Sequence, residues 1–386
     1  MARVSLIFLI MAYLVPMLIV FPGHQGTSIA IILTALIGFI ISQFVVYEII
    51  KKRRWVDYSN SFTTSVKIIF LVAIVYLIAR FSYIVEIIEH IFLGDYFEWA
   101  LNNAVLRYKG EIRGGVLTKI STIAFISYSA LLGGYISNQP KYKTLLLTIL
   151  IAMIFIESSS LARATVIMAL LAFMVEYIIR NNLFFMTASW KRLGNFLLII
   201  FLFLLIISMF SAYNRLSPGD DISQLLINKF SEYSLGMYDA LLIWLDSTDI
   251  SDYGDGGFFY SFASFYKIFG VDVPAGFYTA VETKFGLTNI FLNVKGLLLD
   301  FGIFGLAIFF ILSGFLLTYW SVKRMQWLGY MFLRSVLFML LYVPYSPFIF
   351  STVFIGFQLA GVIFGLFSIN KIRLPNSSKY NFGKVK

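Results

Sequence analysis

Cysteine is absent from this chain, which excludes disulfides, thiolate metal sites and a cysteine nucleophile. Only two histidines occur, so a histidine-built metal centre is not expected and no cofactor is implied. Charge is scarce too: 13% of residues are Asp, Glu, Lys or Arg, where a soluble domain carries about a quarter. The sequence shows no phosphate-binding P-loop, no Ser-His-Asp arrangement and no acids at metal-binding spacing. It shows no internal repeat either, so self-similarity lends nothing to an inverted-repeat transporter. What fills the 386 residues is apolar: 60% are hydrophobic and the mean hydropathy is +0.86. Apolar runs close to bilayer length recur throughout, which defines an all-α, polytopic transmembrane helix bundle. Ala2 to Phe21 is apolar and no small-residue cleavage site follows it, so it reads as a first span and not as a signal peptide.

About ten spans are expected, near 4–21, 28–50, 64–86, 116–137, 144–159, 161–180, 194–213, 289–319, 327–344 and 347–369. Together they make residues 1–386 a single integral membrane domain. The connections sort by charge. Lys51-Lys52-Arg53-Arg54, Lys141 and Lys143, Arg180 with Lys191-Arg192, Lys323-Arg324 and the basic tail after Ile369 fall on one side. Cytoplasmic loops are rich in Lys and Arg, so both termini belong inside. Trp55, Trp190, Trp320 and Trp327 stand beside these clusters as interfacial aromatics do. The net charge of +10 is therefore a topology signal, and nucleic acid is not expected as a partner.

Two polar loops remain for the outer side, 86–115 and the much larger 213–288. The first reads as a short helix lying in the interface. The second starts with a turn at Pro218-Gly219-Asp220-Asp221, continues with apolar residues at helical spacing, and has a glycine-rich turn at Asp252 to Gly257. Amphipathic helices packed on the outer face are expected there.

Charges in or beside the spans need a reason, because a membrane-embedded Arg costs about 2.5–3.5 kcal/mol on insertion scales. Arg80 near the outer end of the third span either snorkels to headgroups or faces an anionic substrate. Tyr76, Arg80 and Tyr83 share one helical face there. Arg163 follows three serines at the start of the sixth span, on the side the charge rule disfavours; an Arg at a helix start suits phosphate. Glu157 is the competing structural partner for Arg163. Arg215 opens the large loop, and Arg113 clusters with Arg107 and Lys109 in the first one. Asn289, Asn293, Gly296 and Asp300 form one stripe entering the eighth span, with Lys295 on its flank, which implies a protein-lined cavity or a polar seam. Arg334 in the ninth span is expected to snorkel towards the cytoplasm.

Two stretches, SSSLARATVIMALL and TNIFLNVKGLLLDFGIFG, together with the enlarged second-half loop, are similar to the Wzy-type O-antigen or capsule repeat-unit polymerases. The resemblance spans the whole chain. It implies a glycosyltransferase of the multi-span, lipid-donor class, needing no metal, on the outer face of the bacterial inner membrane. Donor and acceptor would both be glycans linked to undecaprenyl pyrophosphate, with a flippase and a chain-length regulator as partners. Arg163 and Arg215, then Arg80, Arg113 and Lys295, would offset charge on the departing pyrophosphate. Asn289 and Asn293 would contact substrate. Glu157 and Asp246 are the candidate bases, unless pyrophosphate departs ahead of attack and no base is needed. An O-antigen ligase shares the donor and loop layout. A flippase or exporter would instead line a path through the bilayer with charge, whereas the charged residues here collect at one face.

Overall fold

The computed structural model describes residues 14–50, 65–108, 115–136, 141–159, 163–180, 224, 227–228, 231–248, 281–288, 294–322, 327–341 and 352–366. Most of the expected first span, the seventh span at 194–213 and most of the large loop lie outside the described residues, including the turns at Pro218–Asp221 and Asp252–Gly257.

Helices dominate. In chain order they are α1 (Val15–Val20), α2 (Gly26–Ile50), α3 (Val66–Ala79), α4 (Phe81–Leu93), α5 (Tyr96–Tyr108), α6 (Val116–Ile136), α7 (Lys143–Ser159) and α8 (Arg163–Arg180). After a π-helical turn at Glu232–Gly236 come α9 (Met237–Ser247), a hairpin of β1 (Val281–Thr283) and β2 (Gly286–Thr288), then α10 (Val294–Val322), α11 (Trp327–Leu341) and α12 (Thr352–Leu366). Among the described residues three helices are long and apolar enough to cross a bilayer, Gly26–Val46, Val116–Ile136 and Val294–Tyr319, and a fourth span results if the bent pair α3–α4 counts as one.

α6 sits at the centre, against α3, α8 and α12. Small and hydroxylated residues make that position possible, as expected of helices packed in lipid. Gly133 has no room for a Cβ, because that atom would overlap the Phe173 carbonyl of α8. Central hydroxyls on α6 are spent on backbone: Ser127 donates to the Gly356 carbonyl of α12 at 2.7 Å, Tyr128 to the Leu146 carbonyl of α7 at 2.7 Å, and Ser129 to Phe125 one turn back at 2.9 Å. α10 lies along α2. The two run parallel, since Gly38 meets Ile311 and Gly314 meets Phe39 further along both helices.

Three features depart from the sequence expectations. The span expected at 64–86 stops at Ala79, where the backbone of Arg80 leaves helical geometry and α4 turns away by 67°. The expected interfacial helix of the 86–115 loop is two helices, α4 and α5, separated by Gly94 in the left-handed region at φ 78°. A short antiparallel hairpin, with Thr283 opposite Gly286, forms the end of the large loop, where only helices were expected. Its turn carries Lys284 and Phe285, and Gly286 adopts φ 120°.

Candidate functional site

Three clusters of ionisable side chains bridge separate elements of the described structure. The first surrounds the break between α3 and α4. Arg80 is 5% exposed and grips Glu157 of α7 with two prongs, Nε to Oε1 at 2.9 Å and Nη2 to Oε2 at 2.8 Å. Tyr76 donates its hydroxyl to the same Oε1 at 3.0 Å, and the Arg80 guanidinium lies 5.4 Å from the Tyr83 ring centroid. Ser159 of α7 donates to the Tyr83 hydroxyl at 3.2 Å. Arg80 therefore neither snorkels to headgroups nor stands as an open cation. Burial makes a matched carboxylate necessary, and Glu157 is that carboxylate. Arg163, the other expected partner of Glu157, opens α8, and its side chain lies outside the described residues.

The second cluster joins parts of the chain more than two hundred residues apart. His24, in the turn between α1 and α2, is wedged between two carboxylates of α9. Its Nδ1 is 2.7 Å from Asp246 Oδ2 and its Nε2 is 2.8 Å from Asp239 Oδ1. Asp246 Oδ1 also accepts from the Ser28 hydroxyl at 2.6 Å and the Gln25 amide at 3.3 Å. Burial alone would raise the Asp246 pKa, but these hydrogen bonds and the nearby imidazole outweigh it and hold the carboxyl below its ordinary value. Asp239 is fully buried and takes the Lys284 backbone amide on Oδ2 at 2.8 Å. Lys284 Nζ in turn donates to the Val20 carbonyl at 3.2 Å and to the Pro22 carbonyl, closing the end of α1.

Beside this cluster, α9 presents Trp244 to the first turn of α10. The Lys295 ammonium lies 5.4 Å from the Trp244 ring centroid, and Lys295 and Asp300 are both buried. α10 is two half-helices. Gly302 takes φ 65°, ψ −172°, a conformation open to glycine alone, so the helix breaks just after Asp300 and Phe301. Gly305 completes the joint, because a Cβ there would overlap Phe301 folded back at the break. Of the expected polar stripe, Gly296 and Asp300 are buried in the first half-helix, while Asn289 and Asn293 lie outside the described residues, as do Arg113 and Arg215.

The third cluster lies along α8, 13 residues past its start, hence about 20 Å from the Arg163 end. Arg334 of α11 is fully buried; its Nε meets Glu176 Oε1 at 2.5 Å and its Nη1 donates to the Phe357 carbonyl of α12 at 2.7 Å. Tyr330 donates its hydroxyl to Glu176 Oε2, and Arg180 Nη2 donates to the Tyr330 oxygen at 3.1 Å. The expectation that Arg334 snorkels is overturned: it turns into the bundle because Glu176 is there to receive it.

Sequence patterning did not single out His24 or Asp239, and it marked Gly302 only as part of the TNIFLNVKGLLLDFGIFG stretch, not as a break. A lone His in a turn, FPGHQG, carries no signal for partners 215 and 222 residues away. Among the described residues no three His, Asp or Glu side chains form a metal-binding group; the two carboxylates of His24 sit at opposite ring nitrogens and do not converge.

No protein-family model, curated protein or solved structure matches the chain. Its class rests on the fold: an α-helical membrane protein with buried ion pairs inside the bundle and a polar assembly built from the α1–α2 turn, α9 and the hairpin.

Proposed function

We propose that this protein is a membrane glycosyltransferase that joins undecaprenyl-pyrophosphate-linked oligosaccharide repeat units into O-antigen or capsular polysaccharide on the outer face of the bacterial inner membrane. Ten spans with both termini in the cytoplasm complete the reading, and the positive clusters support that orientation. One contact carries it. The buried Lys295, in the stretch that resembles the polymerases, lies against Trp244 of the large insertion, at the head of a span broken at Gly302. That contact joins the enlarged loop to the span after it, and a cation beside a break in the helix supports the handling of a lipid-linked anion. Broken spans with charged residues are characteristic of substrate sites in membrane proteins.

In the reaction a sugar hydroxyl of one lipid-linked unit attacks the anomeric carbon of the other. The carbon–oxygen bond to undecaprenyl pyrophosphate breaks, and the hydroxyl proton passes to the departing phosphate or to water. Glu157 already accepts two bonds from Arg80 and one from Tyr76, and Asp246 accepts three donors. Both oxygens of Glu157 are thereby occupied, and Asp246, its carboxyl held below the ordinary value, is a weak base. This supports the route in which pyrophosphate departure leads and cations carry the catalysis. Arg163 and Arg215, with Arg113 and Lys295, are the residues for that role; Arg80 and Glu157 hold the bundle at its bend.

The rival is an exporter of the same lipid-linked glycan. Glu176, Arg334 and Arg180 favour it, because they place charge inside the bundle about 20 Å from the Arg163 end, not at one face. Purified protein given its lipid-linked repeat unit decides between them. A ladder of longer glycans supports the polymerase; movement of the lipid across vesicles without lengthening supports the exporter. Because the chain lacks cysteine, single-cysteine labelling tests the orientation directly, with position 256 expected outside and positions 51 and 323 inside.

A further inference from the structure

The Asp239–His24–Asp246 arrangement is a joint between separate parts of the fold. The imidazole belongs to the turn before α2, both carboxylates belong to α9, and Asp239 also holds the hairpin through the Lys284 amide. Lys284 then reaches back to the carbonyls of Val20 and Pro22. Gln25 of the turn and Ser28 of α2 add to the joint, and both bind Asp246.

An imidazole can donate from both nitrogens only when it is protonated. Here each nitrogen faces a carboxylate oxygen at 2.7–2.8 Å. A neutral ring would keep one N–H bond and turn a lone pair on the other carboxylate. Charge balance says the same. Among the described residues the ionisable groups facing the ring are Asp239 and Asp246 from α9 and Lys284 from the hairpin, whose Nζ is 3.9 Å from Asp239. α1 contributes none, α2 contributes the uncharged Ser28 hydroxyl and the turn the Gln25 amide, and Glu232 of the π-helical turn lies against Gly286 of the hairpin. Two carboxylates against one lysine leave one negative charge, which the imidazolium cancels. His24 itself is 5% exposed, but Asp246 is 20% exposed and connects the cluster to solvent, so protons can enter and leave.

We propose that His24 is a proton-operated latch. Protonated, it bridges Asp239 and Asp246 and clamps α9 and the β1–β2 hairpin onto the turn between α1 and α2. Deprotonated, it releases one carboxylate, and α9 with the hairpin loosens from the membrane bundle. The latch does not depend on which reaction the protein performs, and it is tested without any activity.

Amide hydrogen exchange of the full chain in lipid nanodiscs, followed for residues 237–247 across a pH series and corrected for the intrinsic exchange rate, reads the latch directly. Wild type should show a single step, with protection falling about tenfold to a hundredfold as pH rises, the scale of a lost charge-assisted bond. His24→Gln donates to one carboxylate only and should be weakly protected at every pH, without the step. His24→Arg stays charged throughout and should keep protection without the step. A wild-type profile with no step overturns the latch, whichever variants fold. So does a step that persists in either variant, since another group would then own it.

Discussion

Arg80 and Glu157 meet through two parallel hydrogen bonds of 2.9 and 2.8 Å at the point where α3 ends and α4 turns by 67°. The pair explains why a span can stop short and change direction inside an apolar bundle. The guanidinium and Tyr76 satisfy both carboxylate oxygens, so neither charge is left bare when the chain bends.

Removing one partner leaves the other buried and uncompensated, which costs about 3–5 kcal/mol, while replacing both with apolar residues of similar size costs far less. Arg80→Leu and Glu157→Leu should each give little folded protein. The double variant Arg80→Met with Glu157→Met should recover most of it. Thermal midpoints of detergent-purified protein check this, and additive losses in the double variant would show that the two side chains act separately.

Gly302 supplies the joint in α10. A Cβ at φ 65°, ψ −172° costs about 1–3 kcal/mol, so Gly302→Ala should either lower the thermal midpoint or drive α10 towards a continuous helix. Gly302→Ala with unchanged stability and an unchanged labelling pattern at cysteines placed along 294–301 would mean that the break is dispensable.

Asp246 gives the acid side of the stability profile. Its carboxyl is held below the ordinary value in the folded chain, so its contribution is complete above the unfolded value of about 3.9 and is lost as pH falls through the lower folded value. Wild type should lose stability progressively below about pH 4, and Asp246→Asn should start less stable and lose less on acidification. Melting curves from pH 6 downwards measure the difference; parallel curves for the two proteins would contradict it.

Arg163 tests the polymerase reading. Losing one guanidinium contact to a developing oxyanion typically slows a reaction about a hundred- to thousandfold, and Lys lacks the fork that binds two phosphate oxygens. Arg163→Ala and Arg163→Lys should both lose long polymer while inserting at normal levels. Full-length polymer from the Ala variant would remove Arg163 from the site.

The sequence by itself determined the class of protein and the placement of most described helices. α6, α7 and α8 lie at Val116–Ile136, Lys143–Ser159 and Arg163–Arg180, close to the expected 116–137, 144–159 and 161–180. The reason is physical: in lipid an apolar run must satisfy its own backbone, so composition over about 20 residues is enough to define a helix. Tertiary structure alone decided what each charge does. Arg80, Arg334 and Asp246 all read from the sequence as exposed or substrate-facing groups, and each is held by a partner from another element of the fold. Such partners are set by which faces pack together, and a span's hydrophobicity carries no record of that. His24 shows this most plainly, since a turn residue acquires its meaning only when α9, more than two hundred positions later, folds back upon it.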